Sequence, residues 1–371
     1  MARLRIGVLY GGCSGEHEVS LASAASVIHH LNSSRYDPVP IFVGKDGRWS
    51  LPARPPTIVE ASDVIQHARL EAAKPASNCS AETTTPRRLD EPSAMVQGLE
   101  LDVVFPLLHG PYGEDGTVQG LLELADLPYV GAGVLASAVG MDKAVMKLLF
   151  AANELPQVDY LVVRRTAWEN EPDVFRQRIA LKLGFPVFVK PANLGSSVGI
   201  SKVKAVDDLD AAITYAAEFD RKVVVEAAVP NAREIECAVL GNNQLKTSVP
   251  GEVVPSREFY DYSAKYLNAG SVIRIPAPID AEQAKEVRSL AEAAFRAIDG
   301  CGMARVDFLL NPETKRLFVS EVNTIPGFTT ISMYAKLWEA SGLAYTDLLD
   351  ELIQFALDRH ADKKRFRTSV P

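Results

Sequence analysis

Two apolar runs separated by a short polar break constrain the fold more than any other feature of the sequence. The runs cover residues 304–310 and 317–323, and the break between them reads Asn-Pro-Glu-Thr-Lys-Arg. A proline-bearing polar break between two strand-like runs is typical of a β-hairpin. The sequence therefore predicts two antiparallel strands that pair around Thr314.

This hairpin predicts two facing carboxylates. Because side chains alternate between faces along a strand, a hairpin folded about Thr314 sets Asp307 opposite Glu321. The same register sets Arg305 opposite Asn323. Two carboxylates about 5 Å apart would repel each other by roughly 3 kcal/mol, so we expect a cation between them. Two carboxylates and an amide oxygen suit Mg²⁺, whereas in the simpler alternative Arg305 pairs with Asp307.

The composition indicates a globular chain with more than one domain. Its 371 residues exceed one ordinary core, and 47% of them are hydrophobic and 23% charged. The net charge of -8 argues against a nucleic-acid backbone or an anionic membrane as the main partner. The four scattered cysteines form no C-x-x-C pair, so they indicate neither a zinc site nor a disulfide framework. We therefore expect a cytoplasmic protein that binds neither nucleic acid nor membrane.

The N-terminal part predicts a parallel sheet with ligand-facing loops. Alternating strands and helices over the first 130 residues indicate parallel pairing. Glu16 follows a strand and a glycine-rich turn at a helix start, where an acid usually only complements the helix dipole. His109 ends a later strand, where open α/β sheets bind ligands, or else it is a structural histidine bonded to loop carbonyls. Residues from about 52 to 98 are rich in Pro, Ala, Ser and Thr and form a variable insert.

Two glycine patterns suggest other functions, and both are weak. Residues 131–136 match the dinucleotide fingerprint G-x-G-x-x-A, but no acidic residue closes a strand twenty positions later, so we interpret them as a hinge. Residues 195–199 satisfy the G-x-S-x-G pattern of serine hydrolases around Ser197, but no helix follows at once and the only downstream histidine is His360. We interpret residues 192–199 as a flap over phosphates, with Lys190 as the positive charge.

The segment before the hairpin predicts an amphipathic helix and a lid. Asp280 is expected to cap the helix and Gly300 to stop it. Residues 259–266 form an aromatic-rich loop that fits neither a helical nor a strand period. Such a loop is either a rigid packed segment or a lid that offers a cation and a phenol.

Taken together, these parts are those needed for phosphoryl transfer from ATP to an oxygen nucleophile. Seven motifs contain them, in the chain order GGCSGEHEVS, HGPYGEDGTVQG, MDK, VKPANLGSSVG, YDYSAKY, RVDF and EVNTIPGFTTIS. With these motifs in this order, the chain resembles the D-alanine–D-alanine ligase family of ATP-grasp enzymes. The resemblance implies an α/β fold of three domains, in which a parallel-sheet domain precedes two α+β domains that sandwich ATP. The expected domains cover residues 1–133, 134–231 and 232–371.

The resemblance also implies a role for each residue at a matching position. The residues expected to act in catalysis are Glu16, Ser196, Tyr266, Arg305 and Gly327, and the resemblance implies that the first three form a hydrogen-bonded group. The residues expected to bind the D-alanine substrates are His109 and Ser332. The residues expected to bind ATP are Lys143, Lys190, Glu226, Glu234 and Lys265. The residues expected to hold two Mg²⁺ ions, for which Mn²⁺ can substitute, are Asp307, Glu321 and Asn323.

The implied reaction joins two D-alanines through an acyl phosphate, for peptidoglycan precursor synthesis, in a homodimer. One alternative is a depsipeptide ligase that joins D-alanine to D-lactate, and the other is a non-catalytic nucleotide-binding protein. The intact Ser-Ala-Lys-Tyr lid favours the dipeptide, and a non-catalytic relative should have lost a metal ligand or Arg305. The chain departs from its relatives at Ala227, where they often have lysine, and at Asn193-Leu194 in the flap. Both departures can alter ATP affinity or flap motion.

Overall fold

The computed structural model describes residues 2–56, 87–88, 98–254, 272–329 and 331–367. Within these residues it contains three β-sheets with helices packed against them, which confirms the predicted α/β class. Most of the predicted insert lies outside the described residues, as does the aromatic-rich loop with Lys265 and Tyr266. The residue bounds of the three expected domains stay predictions.

The first sheet comes from the N-terminal part of the chain. Its strands are β1 (Leu4–Gly11), β2 (Tyr36–Val43), β3 (Trp49–Leu51), β4 (Arg87–Arg88) and β5 (Val103–Pro106), in the spatial order β4-β3-β2-β1-β5. Strand β1 pairs in parallel with β2 and β5, as the alternation of strands and helices predicted. The accompanying helices are α1 (His17–His30) and α2 (Thr117–Leu124). The carboxyl ends of β1 and β5 therefore open into the loops that contain Glu16 and His109.

The second sheet has four antiparallel strands. They are β6 (Tyr160–Arg164), β7 (Val187–Pro191), β8 (Ser201–Val203) and β9 (Lys222–Ala227), in the order β6-β9-β7-β8. The helices of this part are α3 (Val134–Met141), α4 (Lys143–Ala152), α5 (Arg165–Asn170), α6 (Pro172–Lys182) and α7 (Leu209–Phe219). A 3-10 turn, Val206–Asp208, precedes α7. The flap joins the antiparallel neighbours β7 and β8, and β9 is an internal strand.

The third sheet carries the hairpin. Its strands are β10 (Arg233–Gly241), β11 (Lys246–Thr247), β12 (Gly251–Val254), β13 (Val272–Arg274), β14 (Gly302–Leu310) and β15 (Leu317–Asn323). The order is β13-β12-β10-β14-β15, with β11 pairing with β10. The helices of this part are α8 (Ala281–Ala297), α9 (Met333–Ala340) and α10 (Tyr345–Lys363).

The hairpin has the predicted register at its charged end. Asp307 pairs with Glu321, and Arg305 pairs with Asn323. The register then shifts between Asp307 and Phe308, because Ser320 is an extra residue on β15. This bulge was not predicted, and it leaves the two carboxylates facing each other.

Helix α8 begins as predicted and ends differently. The Asp280 carboxylate accepts a hydrogen bond from the Gln283 N–H at 2.8 Å, which confirms the cap. The left-handed residue after the helix is Asp299, with φ of 59°, so the prediction that Gly300 supplies the turn is wrong. Gly300 serves close packing instead, since a Cβ there would lie 2.5 Å from the Phe295 ring. No helix in the described part of the chain is both long and apolar enough to cross a membrane.

Candidate active site

A cavity of about 430 Å³ is lined by residues of the second and third sheets together with the flap. The predicted site residues that line it are Lys143, Lys190, Ser196, Glu226, Glu234, Asp307 and Glu321. They come from α4, β7, the flap, β9, β10, β14 and β15. Side chains that lie far apart in the sequence therefore meet in one place.

Arg305 neutralises the acids at the hairpin end of the cavity. Its Nε and Nη2 donate to the two oxygens of Asp307, both at 2.7 Å. Its Nε also lies 3.0 Å from Oε2 of Glu236. Burial alone would lower the pKa of Arg305, but Asp307 and Glu236 raise it well above its usual value. The simpler alternative, in which Arg305 pairs with Asp307, is thus present in the structure.

The same end of the hairpin has the chemistry of a magnesium site. The Asn323 amide donates to Asp307 Oδ2 at 3.0 Å, and Lys143 Nζ lies 3.5 Å from Glu321 Oε2. Two carboxylates and an amide on one face of a hairpin are hard oxygen ligands, so they fit Mg²⁺. Among the described residues no three His, Cys, Asp or Glu side chains are grouped to hold a metal. Three oxygen donors leave positions for water and phosphate oxygens, which Mg²⁺ keeps as further ligands.

Glu226 is the centre of a buried charge cluster. Only 4% of its surface is exposed, and its two carboxylate oxygens lie 2.7 Å from Lys190 Nζ and 3.0 Å from Lys147 Nζ. Burial alone would raise the pKa of Glu226, but Lys190 and Lys147 lower it to about 2. Lys147 was not predicted from the sequence. Its spacing was a usable signal, because it follows Lys143 by four residues and so lies on the same face of α4.

Lys143 connects the flap with the hairpin. Its side chain is buried, and Nζ donates to the Leu194 carbonyl at 2.8 Å. The same Nζ lies 3.5 Å from Glu321. A single ammonium group therefore contacts both the flap and one of the facing carboxylates.

Glu16 lies beneath residues 195–199 of the flap. The Ser196 hydroxyl donates a hydrogen bond to Glu16, so these two members of the implied three-residue group are in contact. The third member, Tyr266, lies outside the described residues. Ser196 and Ser197 have φ of 51° and 57°, a left-handed conformation that turns the flap sharply toward Glu16.

His109 is buried with one nitrogen unsatisfied. The residue is 5% exposed, and its Nε2 has no hydrogen-bond partner among the described residues. Burial lowers the pKa of His109, while Glu16 and the Ile325 backbone act in the opposite direction. A buried ring nitrogen without a partner is costly unless a ligand bonds to it, which favours a binding role over a purely structural one.

Glu114 is a second acid beside Glu16 that was not predicted from the sequence. Its Oε1 accepts a hydrogen bond from the Gly110 N–H at 2.8 Å. Burial, followed by the charge of Glu16, raises the pKa of Glu114 to about 8. A proton on Glu114 at neutral pH removes its repulsion of Glu16. The only signal in the sequence was its place in the GEDG turn after His109.

Gly327 and Ser332 are neighbours after the hairpin. The Ser332 Oγ accepts a hydrogen bond from the Thr329 N–H at 2.9 Å, and the two hydroxyls of Ser332 and Thr329 are hydrogen-bonded at 2.7 Å. A Cβ at position 327 would lie 2.8 Å from Ser332 Oγ, so glycine allows the two segments to approach. The backbone of Gly327 and the Ser332 hydroxyl thus lie close together.

The serine-hydrolase alternative has no support in this geometry. His360 Nε2 lies 3.1 Å from the Asp126 carbonyl and 3.2 Å from Asp126 Oδ1. His360 lines a separate cavity, whereas Ser197 lines the cavity described above. The arrangement instead offers lysines for phosphates, oxygen ligands for a cation and an acid beneath a flap.

Two family models match this chain. The model described as D-ala D-ala ligase N-terminus matches residues 5–132, and the model described as D-ala D-ala ligase C-terminus matches residues 149–354. The D-alanine--D-alanine ligase of Heliobacterium modesticaldum is 48% identical, over 99% of this chain and 98% of its own. That of Geobacillus thermodenitrificans is 46% identical, over 98% of each chain.

Two solved structures are similar over nearly the whole chain. The D-alanine-D-alanine ligase from Coxiella burnetii has a TM-score of 0.78 and 37% identity, over 98% of this chain and 97% of its own. The VanG D-Ala:D-Ser ligase from Enterococcus faecalis has a TM-score of 0.77 and 34% identity, over 96% of this chain and 100% of its own.

Proposed function

Because the chain belongs to the D-alanine–D-alanine ligase family, we propose that its cavity is the site where ATP drives the joining of two D-alanines. The protein is an ATP-dependent ligase that forms D-alanyl-D-alanine and serves peptidoglycan precursor synthesis. The observation that carries the proposal is the convergence of two lysines and the facing hairpin carboxylates on one cavity. The lysine ammonium groups can neutralise the phosphate groups of ATP, and the carboxylates can ligate a cation bound to those phosphates.

ATP is proposed to bind with its phosphates toward Lys143 and Lys190. Lys190 is held by Glu226 at 2.7 Å, so its ammonium group is positioned before the nucleotide arrives. Glu226 and Glu234 line the same cavity and are proposed to bind the adenine and the ribose. Lys265, on the lid, is proposed as a third phosphate contact.

The hairpin is proposed to hold two Mg²⁺ ions through Asp307, Glu321 and Asn323. Bound there, the ions would neutralise charge on the phosphate oxygens of ATP. Mn²⁺, which also accepts oxygen ligands, is proposed to substitute. Arg305 would remain near the reaction because Glu236, at 3.0 Å, gives it a second anchor.

In the first step, the carboxylate of one D-alanine attacks the γ-phosphorus of ATP. The new carboxylate–phosphorus bond forms as the bond to the bridging oxygen breaks, giving an acyl phosphate and ADP. Glu16 is proposed to hold the ammonium group of this D-alanine, and the unsatisfied Nε2 of His109 to contact its carboxylate. Glu16 is already oriented by the Ser196 hydroxyl.

In the second step, the amine of the other D-alanine attacks the acyl carbon, and phosphate leaves as the amide forms. Arg305 and the Gly327 N–H are proposed to stabilise the oxyanion of the tetrahedral intermediate. Ser332, next to Gly327, is proposed to hold the carboxylate of the second substrate. Tyr266 is proposed to complete the group formed by Glu16 and Ser196 when the lid closes.

The proposal extends to the assembly and its location. We expect a cytoplasmic homodimer, since the resemblance implies one and the net charge of -8 disfavours nucleic acid and anionic membranes as partners. Sedimentation of the purified protein measures the dimer directly.

The transfer of ¹⁸O from the D-alanine carboxylate to the released phosphate tests whether an acyl phosphate forms. D-alanine labelled with ¹⁸O in both carboxylate oxygens is incubated with ATP and Mg²⁺, and the phosphate is analysed by mass spectrometry. Because one carboxylate oxygen leaves with the phosphoryl group, we expect one ¹⁸O in each phosphate released. Unlabelled phosphate would show that ATP is cleaved by water and would contradict the proposal. L-alanine is the control and should release no phosphate above background.

A further inference from the structure

Asn193 ties the flap to the start of strand β9. Its backbone N–H and its side-chain Nδ2 both donate to Oδ2 of Asp220, at 2.9 and 2.8 Å. The other oxygen of Asp220 accepts the Lys222 N–H at 3.1 Å. One carboxylate thus holds the first part of the flap, residues 192–194, which we name the flap stem.

Asp142 binds the flap stem from the other side. Its Oδ1 caps α4 by accepting the N–H groups of Ala144 and Val145, both at 3.1 Å. Its Oδ2 accepts a hydrogen bond from Lys222 Nζ and lies 3.5 Å from Asn193 Nδ2. The Lys222 and Asp142 side chains are only 13% and 16% exposed, so water competes weakly with these charged contacts.

The network places Lys143 and the flap stem in one unit. Lys143 follows Asp142 directly, and its N–H donates to the Ala192 carbonyl at 3.0 Å. Its Nζ donates to the Leu194 carbonyl at 2.8 Å. The flap stem is therefore fixed on both sides of Asn193 to the residue proposed to contact phosphate. Residues 195–199, the flap tip, continue from this stem to Glu16.

We propose that Asn193 is a positioning residue. Its side chain holds the flap stem so that the flap tip and Lys143 cover the γ-phosphate as one unit. This inference rests on the proposed function. Without the amide, the flap stem loses its side-chain bond to Asp220 and its contact with Asp142. The base of the flap tip is then held only by the backbone bond to Asp220 and the two bonds from Lys143, so it is less rigid. Water then reaches the acyl phosphate and attacks the acyl carbon, which releases phosphate and returns D-alanine. ATP is spent without forming a peptide bond.

The test is the ratio of phosphate released to dipeptide formed, measured for the wild type, Asn193→Ala and Asn193→Asp. The matched control is Asn153→Ala, at the other end of α4, where an exposed amide donates to the Leu149 carbonyl at 2.9 Å. We expect a ratio near one for the wild type and the control, and a ratio at least severalfold higher for both Asn193 variants. Since a hydrogen bond to a charged group is lost, the KM for ATP should rise roughly tenfold.

The ratio of phosphate to dipeptide and the KM for ATP distinguish a positioning role of Asn193 from a role in protein stability alone. If an Asn193 variant melts at a lower temperature but keeps the wild-type ratio and KM for ATP, the inference is overturned. Asn193→Asp is informative because it adds a carboxylate beside Asp142 and Asp220, so it should be at least as uncoupled as Asn193→Ala.

Hydrogen exchange supplies a readout that does not depend on the reaction. In the ligand-free protein, amides of the flap tip and of the first turn of α4 should exchange faster in Asn193→Ala than in the wild type, and no faster in Asn153→Ala. Unchanged exchange overturns the inference. If the wild type releases no D-alanine-dependent phosphate, the proposed function fails, while the exchange result still decides the role of Asn193.

Discussion

Glu114 and Glu16 are two acids that share the space beneath the flap. Burial and the charge of Glu16 raise the pKa of Glu114 to about 8, well above its ordinary value of 4.5. Between these two pH values the folded chain retains a proton that the unfolded chain has lost. The stabilisation is fully present below pH 4.5 and is lost as the pH rises through about 8.

We therefore predict that Glu114→Gln flattens the pH dependence of stability. The melting temperature of the ligand-free wild type should fall between pH 5 and pH 8, because its folded state must give up the Glu114 proton. The glutamine variant cannot lose this proton, so its melting temperature should change less over the same range. Glu100→Gln, at an exposed position, is the control and should follow the wild type. Equal slopes for all three proteins would show that Glu114 is not protonated in the folded state.

At the scale of single residues, the sequence predicted types of side chain better than their partners. Glu16 and Ser196 were expected together, and their hydrogen bond is present. The closeness of Glu114 to Glu16 and the contact of Glu226 with Lys147 were not expected, because folding brings their elements together and no local pattern encodes it. The local clues were the spacing of Lys147 from Lys143 and the place of Glu114 in the GEDG turn.

At the scale of elements, the hairpin of β14 and β15 carries the clearest prediction. Asp307→Asn removes a charge from the proposed metal site while keeping the shape of the side chain. Arg305 retains Glu236 at 3.0 Å, so the variant should remain folded. Because a proposed metal ligand is weakened, we expect turnover to fall by at least roughly 100-fold and the Mg²⁺ concentration for half-maximal rate to rise.

The control lies in the same hairpin. Glu313→Gln changes an exposed acid in the turn between the two strands and should keep wild-type turnover and Mg²⁺ dependence. Rates measured across a Mg²⁺ titration compare the three proteins. If Asp307→Asn is as active as Glu313→Gln, the hairpin does not hold the metal.

The hairpin also shows what a sequence can and cannot predict for an element. The pairing of Asp307 with Glu321 follows from strand alternation and the position of the turn, so it was predictable. The bulge at Ser320 was not, since a single extra residue leaves no sign in an alternating pattern. The end of α8 was missed for a similar reason, because Asp299 takes the left-handed conformation that is usual for glycine.

At the scale of the whole molecule, the account depends on three sheets that bring the proposed site residues together. The parallel sheet supplies Glu16 and His109, the second sheet supplies the flap and Lys190, and the third supplies the hairpin. Strand and helix patterns predicted the parallel sheet and the hairpin separately. That the three sheets bring these residues near one another was expected only from the resemblance, because packing between sheets leaves no periodic signal in the sequence.

The most direct test of the central claim is the mass of the product formed from ATP, Mg²⁺ and D-alanine at neutral pH. Parallel reactions add D-lactate or D-serine at equal concentration, since one similar structure is a D-Ala:D-Ser ligase. We predict D-alanyl-D-alanine as the main product in every reaction, with one phosphate released per dipeptide. Preferential formation of a mixed product, or no ATP consumption with D-alanine, would contradict the account.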